Sequence, residues 1–178
     1  MIRRSLQTLV WKYDKHFTAV VALIPASLQA YSSKLGKITL PSIWATVLMI
    51  AAAIAYAGGY SYVALLGVIV IACIPIGSLI KLFVRRARPK TIYAQNMKVK
   101  SYSFPSSHTY AATIAGGYLG LAAIAIFPGI TGAIIAAIYG LLAVTIGVSR
   151  VHVGAHYPSD VTAGWLLGAV VLTAIALV

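Results

Sequence analysis

Three short segments of this 178-residue chain carry side chains suited to gripping and splitting a phosphoryl group. The first places Lys81 seven residues before Arg88 and Pro89. The second is the run Pro105, Ser106, Ser107 and His108. The third holds Ser149 and Arg150, then His156, then Asp160. A phosphoryl group spreads its charge over several oxygens, so transfer needs cations around them, an in-line nucleophile and an acid for the leaving oxygen. Lys81 supplies a point charge, while Arg88 and Arg150 supply planar forks that bind two oxygens at once. Pro105 suits the opening of a helix, which would aim the N–H groups of Ser106, Ser107 and His108 at an anion. The Ser106 hydroxyl can donate as well. Pro158 can open another helix, with Asp160 in its first turn and His156 on the loop before it.

The acidic count narrows the chemistry. Asp14 and Asp160 are the only two acidic residues in the chain. A carboxylate beside an apolar segment is costly unless it is paired or functional, and Asp160 stands four residues after a histidine. Two-metal phosphoryl transfer needs several carboxylate or histidine ligands, which leaves too few here for a Mg²⁺ site. Transfer through histidine, with no metal and no cofactor, is the expectation.

In this order and spacing, the ten positions Lys81, Arg88, Pro89, Pro105, Ser106, His108, Ser149, Arg150, His156 and Asp160 resemble the three-part signature of the type 2 phosphatidic acid phosphatase (PAP2) superfamily, in its bacterial membrane lipid phosphatase branch. Each segment alone is a weak signal; the ordered set is strong. Ser107 is a variation, since many members carry Gly or Asp there. The resemblance implies that His156 attacks phosphorus and becomes a phosphohistidine, with Asp160 fixing its tautomer. It implies that His108 protonates the departing lipid oxygen and then activates water. The phosphate-binding set is then Lys81, Arg88, Ser106, Ser107 and Arg150, and the substrate a lipid phosphate or diphosphate. Candidates are undecaprenyl diphosphate, phosphatidylglycerol phosphate, phosphatidic acid and a lipid A phosphate. Two alternatives stand beside hydrolysis: a lipid phosphotransferase using the same phosphohistidine, and a non-enzymatic transporter or scaffold. The vanadium haloperoxidases of the superfamily are soluble, and this composition argues against that branch.

Positioning these residues falls to apolar helices. The chain is 61% hydrophobic, with a mean hydropathy of +0.93, far more apolar than a soluble domain of this size. No Asp, Glu, Lys or Arg occurs from Ile38 to Ile80, from Ser101 to Ser149 or from Val161 to Val178. A crossing takes about 20 apolar residues, so the first two stretches can each cross twice and the third once. The expected spans are 41–57, 60–80, 107–127, 130–148 and 160–178, with turns at Gly58-Gly59 and Pro128-Gly129. Residues 16–33 form a weaker sixth candidate, either a span or an interfacial helix. The expected architecture is therefore an all-α integral membrane bundle of about six helices, a single domain over 1–178 with its motifs in 81–160. Residues 1–15, with Arg3, Arg4, Trp11, Lys12, Tyr13 and Lys15, suit a headgroup-level segment, and no cleaved leader is expected there. Segments 81–106 and 149–159 are separated by two spans, so they must emerge on one face.

The net charge of +12 would suggest nucleic acid in a soluble protein, but basic residues placed beside apolar runs favour lipid headgroups or a phosphorylated substrate. Membrane lipids are the expected partners, nucleic acid is not, and oligomeric state is left open. Arg85, Arg86, Lys90, Lys98 and Lys100 are expected to act as headgroup or topology charges. Asp14 is expected to form a solvated ion pair with its basic neighbours, and His152 and His16 to be loop or interfacial residues. With six spans the active-site face would hold ten basic residues against four, which favours the cytoplasm. The resemblance implies the outer, periplasmic or extracellular face of the cell membrane instead.

Overall fold

A computed structural model describes residues 2–97 and 101–177; Lys98 and Lys100, expected to be headgroup charges, lie outside the described residues. Helix α1 (Ile2–Val21) is amphipathic. Leu6, Leu9, Trp11, Phe17 and Val20 face outward, whereas Asp14 is buried. After Val21 the chain turns, passes a 3-10 turn at Ala26–Leu28 and enters α2 (Gln29–Ile38). The expected single segment over 16–33 is thus divided between two helices. Pro25 is the physical reason: it has no N–H to give and forces its predecessor out of helical geometry.

Helix α3 (Pro41–Ala57) opens on Pro41, where the missing N–H is not needed. It is too short to cross comfortably alone, and with the segment Ala26–Ile38 it forms a pair bent by 55°. Gly59, at φ 85°, makes the turn into α4 (Ser61–Cys73). That helix breaks at Pro75 and resumes as α5 (Ile76–Val84). The break frees the Cys73 carbonyl, which accepts from the Tyr110 hydroxyl at 2.9 Å. Together α4 and α5 form a 24-residue span. A short helix, α6 (Ile92–Gln95), lies in the long polar segment. The remaining spans are α7 (Ser107–Ile126), α8 (Ile130–His152) and α9 (Pro158–Ala176). Among the described residues there are four straight span candidates plus the bent pair, one fewer than six.

Helix α7 is the central post, with 61% of its apolar window buried against 22–28% for the other straight spans. It packs on α3, α4, α5, α8 and α9. Small residues permit the close approach: a Cβ on Gly164 would meet the Ser106 carbonyl at 3.0 Å, and one on Gly168 the Thr113 side chain at 2.7 Å. The apolar surface left outside these contacts is what a bilayer covers.

As the parity of the spans requires, the ends of α5, α7, α8 and α9 that carry the motifs meet. Ser106 donates its N–H to the Asp160 carbonyl at 3.0 Å, and Ser103 donates to Arg86 O at 2.8 Å. The α1 helix joins the same end, because Ser159 N donates to Asp14 Oδ1 at 2.8 Å and Tyr13 Oη lies 2.6 Å from Thr162 Oγ1. Of the two readings of 16–33, this excludes the six-span one, which put the N-terminal segment across the membrane from the motifs. Without a crossing at 16–33, α1 stays on the motif side.

Candidate active site

A cavity of about 1360 Å³ opens at this end. Lys81, Arg88, Ser107, His108, Arg150 and His156 line it, together with Thr18 and Val21 of α1, Gln29, Gly36 and Lys37 of α2, and Tyr93 and Met97. The three motifs, far apart in sequence, are therefore gathered around one space lined by both apolar and cationic side chains.

His156 sits on the loop between α8 and α9 and is only 4% exposed. Its Nε2 lies 3.1 Å from Arg88 Nη1, so that nitrogen is an acceptor and the ring proton belongs on Nδ1. Nδ1 faces Asp160 Oδ2 at 3.5 Å, at the long edge of hydrogen-bonding range, and has no closer partner. Burial pushes the imidazole down to about 4, with Arg88 and Lys81 acting in the same direction and Asp160 opposing them. A neutral ring with its Nε2 lone pair beside a guanidinium has the chemistry of a nucleophile, at a place where an anion could dock.

Asp160 is fully buried. Its Oδ2 accepts the Tyr157 N–H at 3.0 Å, the carboxylate half of a capping box at the start of α9. Its Oδ1 accepts from Arg86 Nη1 at 2.7 Å. Arg88 is anchored by Ser101, whose carbonyl and hydroxyl each accept at 2.9 Å, and by the Ala155 carbonyl at 2.8 Å. Burial lowers Arg88 below the usual guanidinium range, with Asp160 working against that shift. Lys81 Nζ donates to the Tyr102 carbonyl at 2.8 Å. Arg150 donates through Nε to Ser149 Oγ at 3.2 Å and through Nη2 to the Ser32 carbonyl of α2. His108 Nε2 donates to the Gly36 carbonyl at 3.0 Å.

Ser106 and Asp160 stand behind the cavity wall. Ser106 is the N-cap of α7, wholly buried, and its Oγ accepts from Thr109 Oγ1 at 2.9 Å. Pro105 therefore precedes the cap and does not open the helix, and the Ser106 N–H is already used by Asp160. Ser107 and His108 are the first helical residues, and they line the cavity.

Two residues were assigned differently from the sequence. Asp14 is a buried partner of Arg86 at 2.7 Å, not a solvated ion pair with its neighbours in α1. Arg86 is paired with both carboxylates, not with headgroups. The cost argument that singled out Asp160 applies equally to Asp14, since both are rare acids in an apolar chain, and it could have flagged the second. His152 ends α8, lines the cavity and lies 2.9 Å from Ser32 Oγ through Nδ1.

Residues 61–178 match the PAP2 superfamily. The chain belongs to that superfamily. A 95-residue stretch is 30% identical to phosphatidylglycerophosphatase B of Bacillus subtilis (strain 168), covering 52% of this chain and 46% of that protein. The chain thus matches about half the length of this curated relative. The crystal structure of a transmembrane PAP2-type phosphatidylglycerolphosphate phosphatase from Bacillus subtilis is similar with a TM-score of 0.81, over 94% of this chain and 85% of that one, at 23% identity. At that identity the likeness is one of fold, and it makes the bundle around the cavity a PAP2-type transmembrane fold.

Proposed function

We propose that this PAP2 member is a membrane lipid phosphatase working through a phosphohistidine on His156, without a metal, as one catalytic domain over 1–178. The observation that carries this reading is the placement of His156 Nε2 at 3.1 Å from Arg88, on the wall of a largely apolar cavity that also holds Lys81, Arg88 and Arg150, with Asp160 behind Nδ1. Lys81, Arg88, Arg150 and the N–H groups at Ser107 and His108 hold the phosphate oxygens. His156 Nε2 attacks phosphorus, the bond from phosphorus to the lipid oxygen breaks, and His108 gives that oxygen its proton. Asp160 stabilises the positive charge that develops on the imidazole. Neutral His108 then takes a proton from water, whose oxygen attacks the phosphohistidine and releases inorganic phosphate and His156.

Phosphatidylglycerol phosphate heads the list of substrates to test, because similar proteins carry that activity in their names. The proposed location is the cell membrane, with the site on its outer face by family resemblance. One observation favours the inner face: every basic side chain from Lys12 to Lys90, and Arg150, lies on a segment meeting at the site end, while the turns at 58–60 and 128–129 carry none. Labelling of a cysteine placed at Lys90 by an impermeant thiol reagent on intact cells decides between them.

The activity test is release of inorganic phosphate from purified protein supplied with phosphatidylglycerol phosphate, isoprenyl diphosphate or phosphatidic acid in mixed micelles. The wild type should release phosphate from at least one of them, in EDTA as well as without it, and vanadate should inhibit. His156→Ala should release none while keeping its thermal midpoint. Phosphate release by that variant, or a strict requirement for added Mg²⁺, would overturn the mechanism. Phosphate found on a lipid acceptor instead of in solution would convert the reading to phosphotransfer.

A further inference from the structure

The two carboxylates of the chain are joined by a single guanidinium that does not touch the cavity. Arg86 Nη1 donates to Asp160 Oδ1 at 2.7 Å, and Nη2 donates to Asp14 Oδ2 at 2.7 Å. Nη1 also donates to Ser159 Oγ at 2.7 Å, and that hydroxyl donates to Asp14 Oδ2 at 2.9 Å. Asp14 accepts in addition the Ser159 N–H, so it caps the first turn of α9 from the neighbouring helix α1. The Arg86 guanidinium lies over the Tyr157 ring at 4.1 Å. Tyr157 directly follows His156 and supplies the N–H that holds Asp160 Oδ2. The backbone of Arg86 is pinned as well, its carbonyl accepting from Ser103 N at 2.8 Å.

These contacts divide the oxygens of Asp160. Oδ1 is committed to Arg86, which leaves Oδ2 for Tyr157 N–H and His156 Nδ1. A fully buried carboxylate with no paired cation would be driven to take up a proton or to rotate. Arg86 prevents both, and its planar fork lets it do so while held by Asp14 on the far side. Arg86 lines no part of the cavity, and its side chain reaches the site through Asp160 and Tyr157.

We propose that Arg86 is a positioning residue for His156, fixing the Asp160 carboxylate and the Tyr157 backbone, and that Asp14 of α1 is the latch that holds it in place. This rests on the assignment of His156 as nucleophile. The N-terminal helix thereby becomes part of the catalytic apparatus: its seating on α9 determines whether the nucleophile is aligned.

The test is a set of pH–rate profiles for Arg86→Gln, Arg86→Lys, Asp14→Asn and the double variant, with thermal midpoints measured in parallel. The charges around His156 are Asp160, Arg88, Lys81 and His108, with Arg86 and Asp14 one layer behind. Removing the Arg86 charge makes the His156–Asp160 pair bind its proton more tightly, whichever member takes it. Arg86→Gln should therefore move the acid limb of kcat/KM up by about one pH unit and lower kcat about tenfold, with KM within about twofold because the residue lines no part of the cavity. Arg86→Lys should restore the limb but only part of kcat. Asp14→Asn should lower kcat without raising the limb, and should add nothing in the Arg86→Gln background.

An acid limb and kcat unchanged in Arg86→Gln overturn the proposal. So do losses in Asp14→Asn and Arg86→Gln that multiply in the double variant. If Arg86→Gln does not fold, wild-type kcat in both Arg86→Lys and Asp14→Asn overturns it. The ¹⁵N-histidine NMR titration of His156 reads the same shift without turnover, so a wild type that releases no phosphate ends the phosphatase reading while this coupling is still decided.

Discussion

Replacing Gly36 by alanine places one methyl group where helix α2 meets Arg150, a member of the proposed phosphate-binding set. A Cβ built there would overlap Nη1 and Cζ of Arg150, and even Nη2 would be 2.5 Å away, whereas ordinary contact starts at 3.4 Å. The guanidinium or the helix must therefore move by more than the 0.9 Å that Nη2 alone would need, because Nη1 and Cζ lie closer still. Arg150 lines the cavity but is 2% exposed and tied to Ser149 and Ser32, so shifting into that space breaks those contacts. Misplacing a group that orients the substrate by about 1 Å costs roughly 100-fold, equivalent to about 3 kcal/mol of transition-state stabilisation. A loss of α2 itself cannot explain such an effect, because Gly→Ala inside a helix favours it by about 1 kcal/mol. Gly36→Ala should thus lower kcat/KM for phosphate release about 100-fold while its thermal midpoint stays near that of the wild type. Gly140→Ala is the matched control: its Cβ would meet nothing within 4 Å, and its kcat/KM should not change. A Gly36→Ala enzyme with kcat/KM within about threefold of wild type, or above it, would show that Arg150 is not held against α2 in the working enzyme.

The buried position of His156 also sets a pH profile. In the proposed mechanism the ring attacks only when neutral, and its value of about 4 in the folded protein keeps it neutral well below the usual imidazole range. The acid limb of kcat/KM should therefore fall tenfold per unit below about 4, where an unshifted ring near 6.5 would already have lost about tenfold by pH 5.5, while the need for a protonated His108 sets the separate alkaline limb. Stability follows the same sign: between 6.5 and about 4 the unfolded chain takes up this proton first, so stability falls with pH across that window, by about 3 kcal/mol in all. Unfolding midpoints of wild type and His156→Gln at pH 7 and pH 4 measure this difference, and equal pH sensitivity would rule it out. A structural prediction concerns the break at Pro75, where Tyr110→Phe leaves the Cys73 carbonyl without its hydroxyl partner. It should cost about 1 kcal/mol in a detergent unfolding assay without altering the pH profile, a magnitude set by one buried hydrogen bond in an apolar surround.

Much of the site was legible in the chain because its chemistry is local in type. Lys81, Arg88, His108, Arg150, His156 and Asp160 belong to ordered motifs, and charge-free stretches between them measure out membrane spans. Parity through the Pro128-Gly129 turn requires 81–106 and 149–159 to share a face, a topological consequence independent of packing. Other features depend on which neighbours meet. Ser106 was expected to present its hydroxyl and N–H to phosphate, but it is fully buried outside the cavity lining, with its Oγ accepting from Thr109 and its N–H donating to the Asp160 carbonyl, a choice made by the docking of α9 on α7. The role of Asp14 was hidden for the same reason, since its nearest basic residues in sequence are not its partners in space. Whether 16–33 crosses the membrane turned on one proline and on the contacts of α1 with α9.

Sequence alone thus determined the class of this protein, an apolar helical bundle with a cationic, histidine-bearing site at one end, because residue type and period carry that information directly. Only the tertiary structure decided how the site is held: Arg86 between Asp14 and Asp160, Arg150 and His108 against the carbonyls of α2. The physical reason is that a buried charge takes its partner from whatever packing places beside it. In a chain with two acids, both ended up on the same arginine.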